Sequence, residues 1–215
     1  MSQAQLILFM ITSFAIIISP GQDMFLVMSR SLSQGPKAGV AISAGVATGL
    51  VGHTILATLG LGALLMASET LFSVLKFVGA AYLVYLGVQS IRTKPDSETL
   101  PNSDVTTPAS THYTPFKLFM QGVISNLSNP KIAIFYIAYL PQFVPIGYTQ
   151  PTVMLFTLGV MFALLTFLIK GVIGVGAGSL STWLRTRPVV QLWINRVSGV
   201  MLIGLGVRLA FEERG

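Results

Sequence analysis

Two polar, proline-containing sequences interrupt otherwise apolar runs of this 215-residue chain: Ser19-Pro20-Gly21-Gln22-Asp23 and Ser128-Asn129-Pro130-Lys131. A proline inside a helix lacks a backbone donor and leaves the carbonyl four residues earlier without its usual partner. Both sequences are also typical of a helix start, with Ser19 or Asn129 as the N-cap, and Gln22 would close a capping box in the first. The N–H groups of two such half-helices would bind an anion such as a carboxylate. A pair of simple proline kinks is the alternative.

Two charges stand beside these breaks, Asp23 and Lys131. An ionisable group inside a membrane costs about 2.5 to 3.5 kcal/mol on insertion scales, so it normally has a partner, a cavity or a task. Asp23 is a candidate to bind an ammonium or carry a proton, and Lys131 is a candidate partner for Asp23 or for a carboxylate. The alternative is that the two residues only neutralise each other.

Two further polar residues within apolar runs are secondary candidates, Lys170 and His53. We expect Lys170 to reach an aqueous edge by extending along its helix, with a functional role as the alternative. For His53, a hydrogen bond to a neighbouring helix is the simpler explanation, with binding or proton transfer as the alternative.

The apolar runs must hold these residues in a membrane. A hydrocarbon core of about 30 Å needs roughly 20 helical residues. Four runs are long enough: 40–66, 71–91, 153–173 and 192–211. Residues 6–18 are too few unless the helix continues through the first break, and residues 118–140 are interrupted by the second break. We therefore predict an all-α polytopic membrane protein with six transmembrane helices, of which the first and fourth are broken.

Composition excludes several classes of protein. With 53% hydrophobic and 9% charged residues, the chain could not cover a soluble globule with polar surface. It has no cysteine and two histidines, so we expect no metal, no cofactor and no catalytic residue. The net charge of +6 is spread singly between apolar runs, which argues against a nucleic-acid partner.

Residues 92–115 are rich in Pro, Ser, Thr and Asp and read as an aqueous linker. It divides the chain into three-span halves, residues 1–91 and 116–215. Lys and Arg are more frequent on the side of the linker, so the positive-inside rule makes that side cytoplasmic and places both termini outside, in the periplasm for a bacterial inner membrane.

Faint internal similarity relates the two halves. Lys76-x-x-Gly79 matches Arg196-x-x-Gly199, and Leu86-Gly87 matches Leu205-Gly206, although the spacing slips by one residue between the pairs. Halves with an odd number of spans run in opposite directions if they are homologous. We therefore predict two inverted three-helix repeats. The alternative is that two glycine-rich apolar helices resemble each other by chance.

The two breaks, the glycine-rich second span and Leu140-Pro141-Gln142-Phe143 together resemble the LysE/RhtB family of amino-acid exporters over essentially the whole chain. That family usually has Pro-Gly-Pro where this sequence has Pro20-Gly21-Gln22. The resemblance implies efflux of amino acids or close derivatives, of the homoserine, threonine, lysine or leucine type, driven by the proton gradient.

Together these features predict a substrate site at the breaks that alternates between the two sides of the membrane. Its substrate-binding residues are Ser19, Pro20, Gly21, Gln22, Asp23, Asn126, Asn129, Pro130, Lys131 and Tyr136. Asp23 and Lys131 are also the predicted proton-coupling residues. The expected partners are a small amino acid and the lipid bilayer, with a homo-oligomer left open. The alternatives are a membrane enzyme, a channel-like or structural subunit, because broken helices also line pores, or an exporter of another small solute.

Overall fold

The computed structural model describes residues 3–67, 69–92, 113–144, 148–185 and 188–211. All regular elements in these ranges are helical. The helices are α1 Gln3–Ile18, α2 Gln22–Gln34, α3 Pro36–Ala67, α4 Glu69–Arg92, α5 Pro115–Leu127, α6 Pro130–Ile134, α7 Pro151–Arg185 and α8 Pro188–Phe211. A π-helical turn, Phe135–Tyr139, and a 3₁₀ turn, Leu140–Phe143, follow α6. Most of the predicted linker, residues 93–112, lies outside the described residues.

Three helices are long and apolar enough to cross a membrane, within Pro36–Gly60 of α3, Pro151–Ala177 of α7 and Leu192–Phe211 of α8. The pair α1 and α2 forms a fourth candidate span, bent by 55° at the first break. Outward-facing side chains such as Leu59 and Val172 are more than two-thirds exposed, as expected for a surface in contact with lipid. The chain is thus an all-helical, multi-pass membrane protein. Among the described residues, α4 and the α5–α6 pair do not meet the same criterion of length and apolarity.

The first break differs from the prediction in its capping. The Ser19 N–H donates to the Ala15 carbonyl (2.9 Å), so Ser19 completes the last turn of α1 and cannot cap α2. Gly21 is the N-cap of α2, in an extended conformation and without a side-chain cap. The predicted capping box between Ser19 and Gln22 is therefore wrong, because the helix starts two residues later than expected.

The second break has the predicted capping. Asn129 is the N-cap of α6, and its side-chain oxygen accepts a hydrogen bond from the Lys131 N–H (3.1 Å). Pro130 occupies the first helical position, where its missing N–H costs nothing. The helix then widens into the π turn after only five residues, which points a set of aromatic side chains into the core.

Close contacts between small residues define the direction of the long helices. Gly39 of α3 touches Gly174 of α7, and Thr54 further along α3 touches Gly159. The residue numbers rise on one helix as they fall on the other, so α3 and α7 are antiparallel.

Helices α3 and α5 run in the same direction. Gly45 contacts Gly122, and four residues later in each helix Gly49 contacts Asn126. Both numbers rise together along this interface, which shows that the two helices are parallel. Gly45 also has the Phe119 carbonyl so close that a side chain there would collide with backbone.

Helix α4 packs along α8 in the antiparallel sense. Gly87 touches Gly199, while Ala80, seven residues earlier in α4, touches Gly206, seven residues later in α8. Backbones approach closely at both points because at least one residue of each pair is glycine.

The centre of the molecule is filled by an aromatic cluster beneath the π turn. Its members are fully buried or nearly so: Phe9, Phe135, Tyr136, Tyr139, Phe143 and Phe162. Phe135 and Phe162 are the closest ring pair, with centroids 4.6 Å apart. This cluster packs α1, α7 and the π turn against one another and forms one wall of the region where the breaks meet.

Candidate functional site

A small cavity lies where the two breaks approach α3 and α7. Its volume is about 10 Å³, which is room for about one water molecule. Its polar lining consists of Ser19, Gly21, Asp23, Asn126, Asn129, Lys131, Thr166 and Lys170. Its apolar lining consists of Ile16, Ile17, Met24, Leu50, Ile132 and Phe162.

Asp23 is the carboxylate of this cavity. It lies in the first turn of α2, where the positive end of the helix dipole favours an anion, and it is 2% exposed. Ser125 donates a hydrogen bond to its Oδ1 (2.9 Å), and the Asn126 amide donates one to its Oδ2 (2.8 Å). The Lys170 Nζ lies 3.4 Å from the same Oδ2. Both carboxylate oxygens thus have partners from other helices.

Lys170 does not reach an aqueous edge, and that prediction is wrong. The side chain is 6% exposed and points from α7 to Asp23. The Lys170 ammonium pairs with the Asp23 carboxylate at the α2–α7 interface, so it does not extend along the apolar surface of α7 to water. The residue in salt-bridge distance of Asp23 is therefore Lys170 and not the predicted Lys131.

Lys131 instead satisfies the backbone at the first break. Its Nζ donates to the Ser19 carbonyl (3.2 Å) and to the Ile16 carbonyl (3.4 Å). Ile16 is four residues before Pro20, so its carbonyl is the one that the proline leaves without a donor. The negative end of the α1 dipole adds a favourable interaction with the ammonium.

His53 does the same for the second break. The carbonyl four residues before Pro130 belongs to Asn126, and it accepts hydrogen bonds from His53 Nε2 (3.2 Å) and from the Asn129 N–H (3.0 Å). The expected hydrogen bond from His53 to a neighbouring helix is therefore confirmed. Each break is completed by a side chain from the other part of the chain: Lys131 serves the first and His53 the second.

Tyr136 lies behind the cavity and is not part of its lining. Its hydroxyl donates to the Gly159 carbonyl (3.2 Å) and accepts from Thr54 (3.1 Å). Its ring stacks on His53 with the centroids 5.6 Å apart. Tyr136 therefore positions His53 and bridges α3 to α7.

The structure brings six of the ten predicted binding residues to the cavity: Ser19, Gly21, Asp23, Asn126, Asn129 and Lys131. Pro20, Gln22, Pro130 and Tyr136 are not in its lining, and Gln22 is exposed. The two prolines are outside the lining because they form the turns of the chain, while the residues on either side of each proline face the cavity.

Sequence reasoning missed two polar residues of the site, Ser125 and Thr166, and its apolar lining, which includes Phe162. Thr166 is four residues before Lys170 and so shares its face of α7, which is a signal that the sequence does carry. Ser125 adjoins Asn126 and had no separate signal. No group of three metal-binding side chains was found among the described residues.

Comparison with known proteins identifies the family. A sequence model of the LysE type translocator family matches residues 14–213. The chain belongs to this family of membrane translocators. The resemblance inferred from the two breaks is thereby confirmed.

Its relatives include proteins with and without a named activity. The membrane protein YrhP of Bacillus subtilis, described as uncharacterized, is 33% identical over 199 residues, covering 89% of this chain and 91% of the relative. A homoserine/homoserine lactone efflux protein of Salmonella typhimurium is 31% identical and covers 94% of both chains. A leucine efflux protein of Klebsiella pneumoniae is 25% identical, covering 94% of this chain and 92% of the relative. No solved structure matches the chain.

Proposed function

We propose that this protein is a secondary transporter that exports amino acids or close amino-acid derivatives across the bacterial inner membrane. One observation carries the proposal: the carboxylate of Asp23 and the ammonium groups of Lys131 and Lys170 line one cavity where two broken helices meet. Transporter sites are commonly built at discontinuous helices. Relatives named for leucine efflux and for homoserine efflux favour an amino-acid substrate.

Six spans in two inverted halves, residues 1–91 and 116–215, joined by the linker 92–115, account for the helix directions. In this arrangement α3 and α5 are the second and fourth spans and are parallel, whereas α3 and α7, the second and fifth, are antiparallel. The third and sixth spans, α4 and α8, are also antiparallel. Each of these three relations matches the observed contacts.

The α4–α8 interface supports the inverted repeat in more detail. An inverted repeat makes each residue of α4 equivalent to one residue of α8. If Gly87 is equivalent to Gly206 and Ala80 to Gly199, the contact of Gly87 with Gly199 is equivalent to the contact of Gly206 with Ala80. This equivalence makes Ala80, and not Gly79, the counterpart of Gly199. In this register Leu86-Gly87 aligns with Leu205-Gly206 and Ala80 with Gly199, while Lys76 no longer aligns with Arg196.

A cytoplasmic linker accounts for the basic residues at one end of the molecule. The Tyr113 N–H donates to the Gln34 side chain (3.0 Å), which places the end of the linker beside the turn between α2 and α3. Arg30 and Lys117 lie 4.5 and 4.4 Å from the centre of the Tyr113 ring. This concentration of positive charge favours the cytoplasmic side, with both termini in the periplasm.

The mechanism that we infer is alternating access, in which the halves rock around the cavity. A zwitterionic amino acid sets its carboxylate against Lys131 and its ammonium against Asp23. The cavity has room for about one water molecule, so substrate enters only when the halves move apart and Lys170 leaves Asp23. Proton binding at Asp23 then releases the substrate ammonium on the outer side, and Lys131 contributes to the same coupling.

The decisive experiment is efflux from proteoliposomes loaded with labelled leucine, homoserine or threonine, with and without an imposed pH gradient. We expect saturable efflux of unchanged substrate that the gradient accelerates, and Asp23→Asn should abolish the acceleration. The Lys37→Gln variant is the control, because Lys37 is exposed at the start of α3. Flux that does not saturate would indicate a channel, and release of a modified product would indicate an enzyme.

A further inference from the structure

We propose that the site favours amino acids with a neutral side chain over those with a second positive charge, and that Lys170 is the residue that sets this selectivity. The inference rests on the proposed function. It concerns the kind of amino acid, which the helix breaks alone do not determine.

The charges of the cavity carry the argument. Its described lining contains two ammonium groups, from Lys131 and Lys170, and one carboxylate, from Asp23. Asp23 is paired with Lys170 at 3.4 Å. Lys131 donates to two backbone carbonyls and has no carboxylate within salt-bridge distance among the described residues. The ionised site therefore holds one more positive than negative charge.

Lys170 occupies the place of the substrate's amino group. Its Nζ contacts the carboxylate oxygen that also accepts from the Asn126 amide, and its side chain is 6% exposed. A bound α-ammonium must displace it from Asp23, but the charge of Lys170 stays within the site. A substrate side chain with its own ammonium would then bring a fourth cation-bearing group to a site with a single acid. Like charges brought together out of water strongly oppose binding.

The rest of the described lining gives a cationic side chain no second acid. The apolar lining comprises Ile16, Ile17, Met24, Leu50, Ile132 and Phe162. Burying a charge against such a surface is costly, whereas an aliphatic side chain gains from it. The substrate side chain is accordingly small and aliphatic or carries at most a hydroxyl.

The wild-type protein tests this without any substitution. Proteoliposomes loaded with labelled leucine receive an excess of one unlabelled competitor inside: lysine, the α-keto acid of leucine, which lacks the ammonium, or leucinol, which lacks the carboxylate. We expect the keto acid to slow leucine efflux and lysine and leucinol to have about tenfold less effect. Direct efflux of labelled lysine should be slower than that of leucine by a similar factor.

A single substitution should change the selectivity. In Lys170→Gln, bound lysine restores the total charge that leucine gives in the wild type, so the ratio of lysine to leucine efflux should rise about tenfold or more. Lys37→Gln removes an ammonium of equal charge at an exposed position and should leave the ratio unchanged. The ratio is independent of how much protein inserts.

The outcomes separate this inference from the proposed function. Lysine export as fast as leucine export overturns the selectivity but leaves the exporter in place. An unchanged ratio in Lys170→Gln removes Lys170 from the explanation. Failure of the wild type to export any amino acid overturns the proposed function and the inference with it. Should the variant not insert, the competition experiment with the wild type still decides.

Discussion

Asp23 and Lys170 are buried together and form a salt bridge. Both side chains are almost fully buried and lie in helices far apart in the sequence. A buried ion pair contributes little net stability, but the loss of one partner leaves an uncompensated charge in the interior. The pair is therefore best tested by removing its members singly and together.

We predict that Asp23→Asn and Lys170→Gln each lower the free energy of unfolding by about 3 kcal/mol, while the double variant loses less than the sum. The measurement is the midpoint of thermal unfolding in detergent for the wild type, the two single variants and the double variant. Strictly additive losses would show that the two side chains do not interact. Thr157→Ala, at an exposed position of α7, is a suitable control.

His53 offers a second prediction at the level of one side chain. Removing the donor to the Asn126 carbonyl in His53→Ala should cost about 1 to 3 kcal/mol, because a buried acceptor loses one of its two partners. His53→Gln keeps a donor and should retain part of that stability. If both variants unfold at the wild-type temperature, the Asn129 N–H alone satisfies the carbonyl.

The sequence predicted the charged residues of the site better than their pairing. Asp23 and Lys131 were recognised because an ion in an apolar run beside a proline is conspicuous. Their partners were not, because hydrogen bonds such as Ser125 to Asp23 join residues more than 100 positions apart. Only packing decides which of two available lysines reaches one carboxylate.

At the scale of the helices, the two breaks are complementary. A proline leaves a carbonyl unsatisfied, and in an apolar surrounding that carbonyl must find another donor. Lys131 supplies one for Ile16, and His53 supplies one for Asn126. The positions of both breaks were predictable from the sequence. The π turn after α6 was not, since it arises from the packing of its aromatic side chains.

Glycines of α3 provide a prediction for helix packing. Gly45→Ala should destabilise the protein by about 1 to 3 kcal/mol, because the new methyl group would meet the Phe119 carbonyl and force α3 and α5 apart. Gly60→Ala, in the same helix, has no atom within 4 Å and should be neutral or stabilising by up to about 1 kcal/mol. Thermal unfolding of the two variants side by side provides the comparison. Equal changes in stability in the two variants would mean that helix propensity alone determines them.

At the scale of the whole molecule, the absence of cysteine makes the membrane topology directly testable. In the proposed orientation, Lys37→Cys lies on the cytoplasmic side and Thr149→Cys on the periplasmic side, and both positions are exposed. An impermeant thiol reagent added to intact cells should label Thr149→Cys and spare Lys37→Cys, and inverted vesicles should give the opposite result. Labelling of both from one side would contradict the orientation.

The overall architecture was only partly predictable. Apolar runs predicted an all-helical membrane protein, and α3, α7 and α8 meet that expectation within the described residues. The relation between the halves could not be established from sequence alone, because the similarity between the third and sixth spans slips by one residue. The contacts of α4 with α8 show that these two helices pack antiparallel, which the residue pattern did not reveal.

The hydrogen bond from Lys131 to the Ile16 carbonyl also constrains the order in which the segments reach their final structure during synthesis. The two residues are 115 positions apart, and a membrane protein is inserted from its N-terminus. Until Lys131 leaves the ribosome, the carbonyl exposed by Pro20 has only water or a temporary partner. The first segment to enter the bilayer is therefore among the last to reach its final shape, and a chain that stalls before the fourth segment should be a preferred target for membrane quality-control proteases.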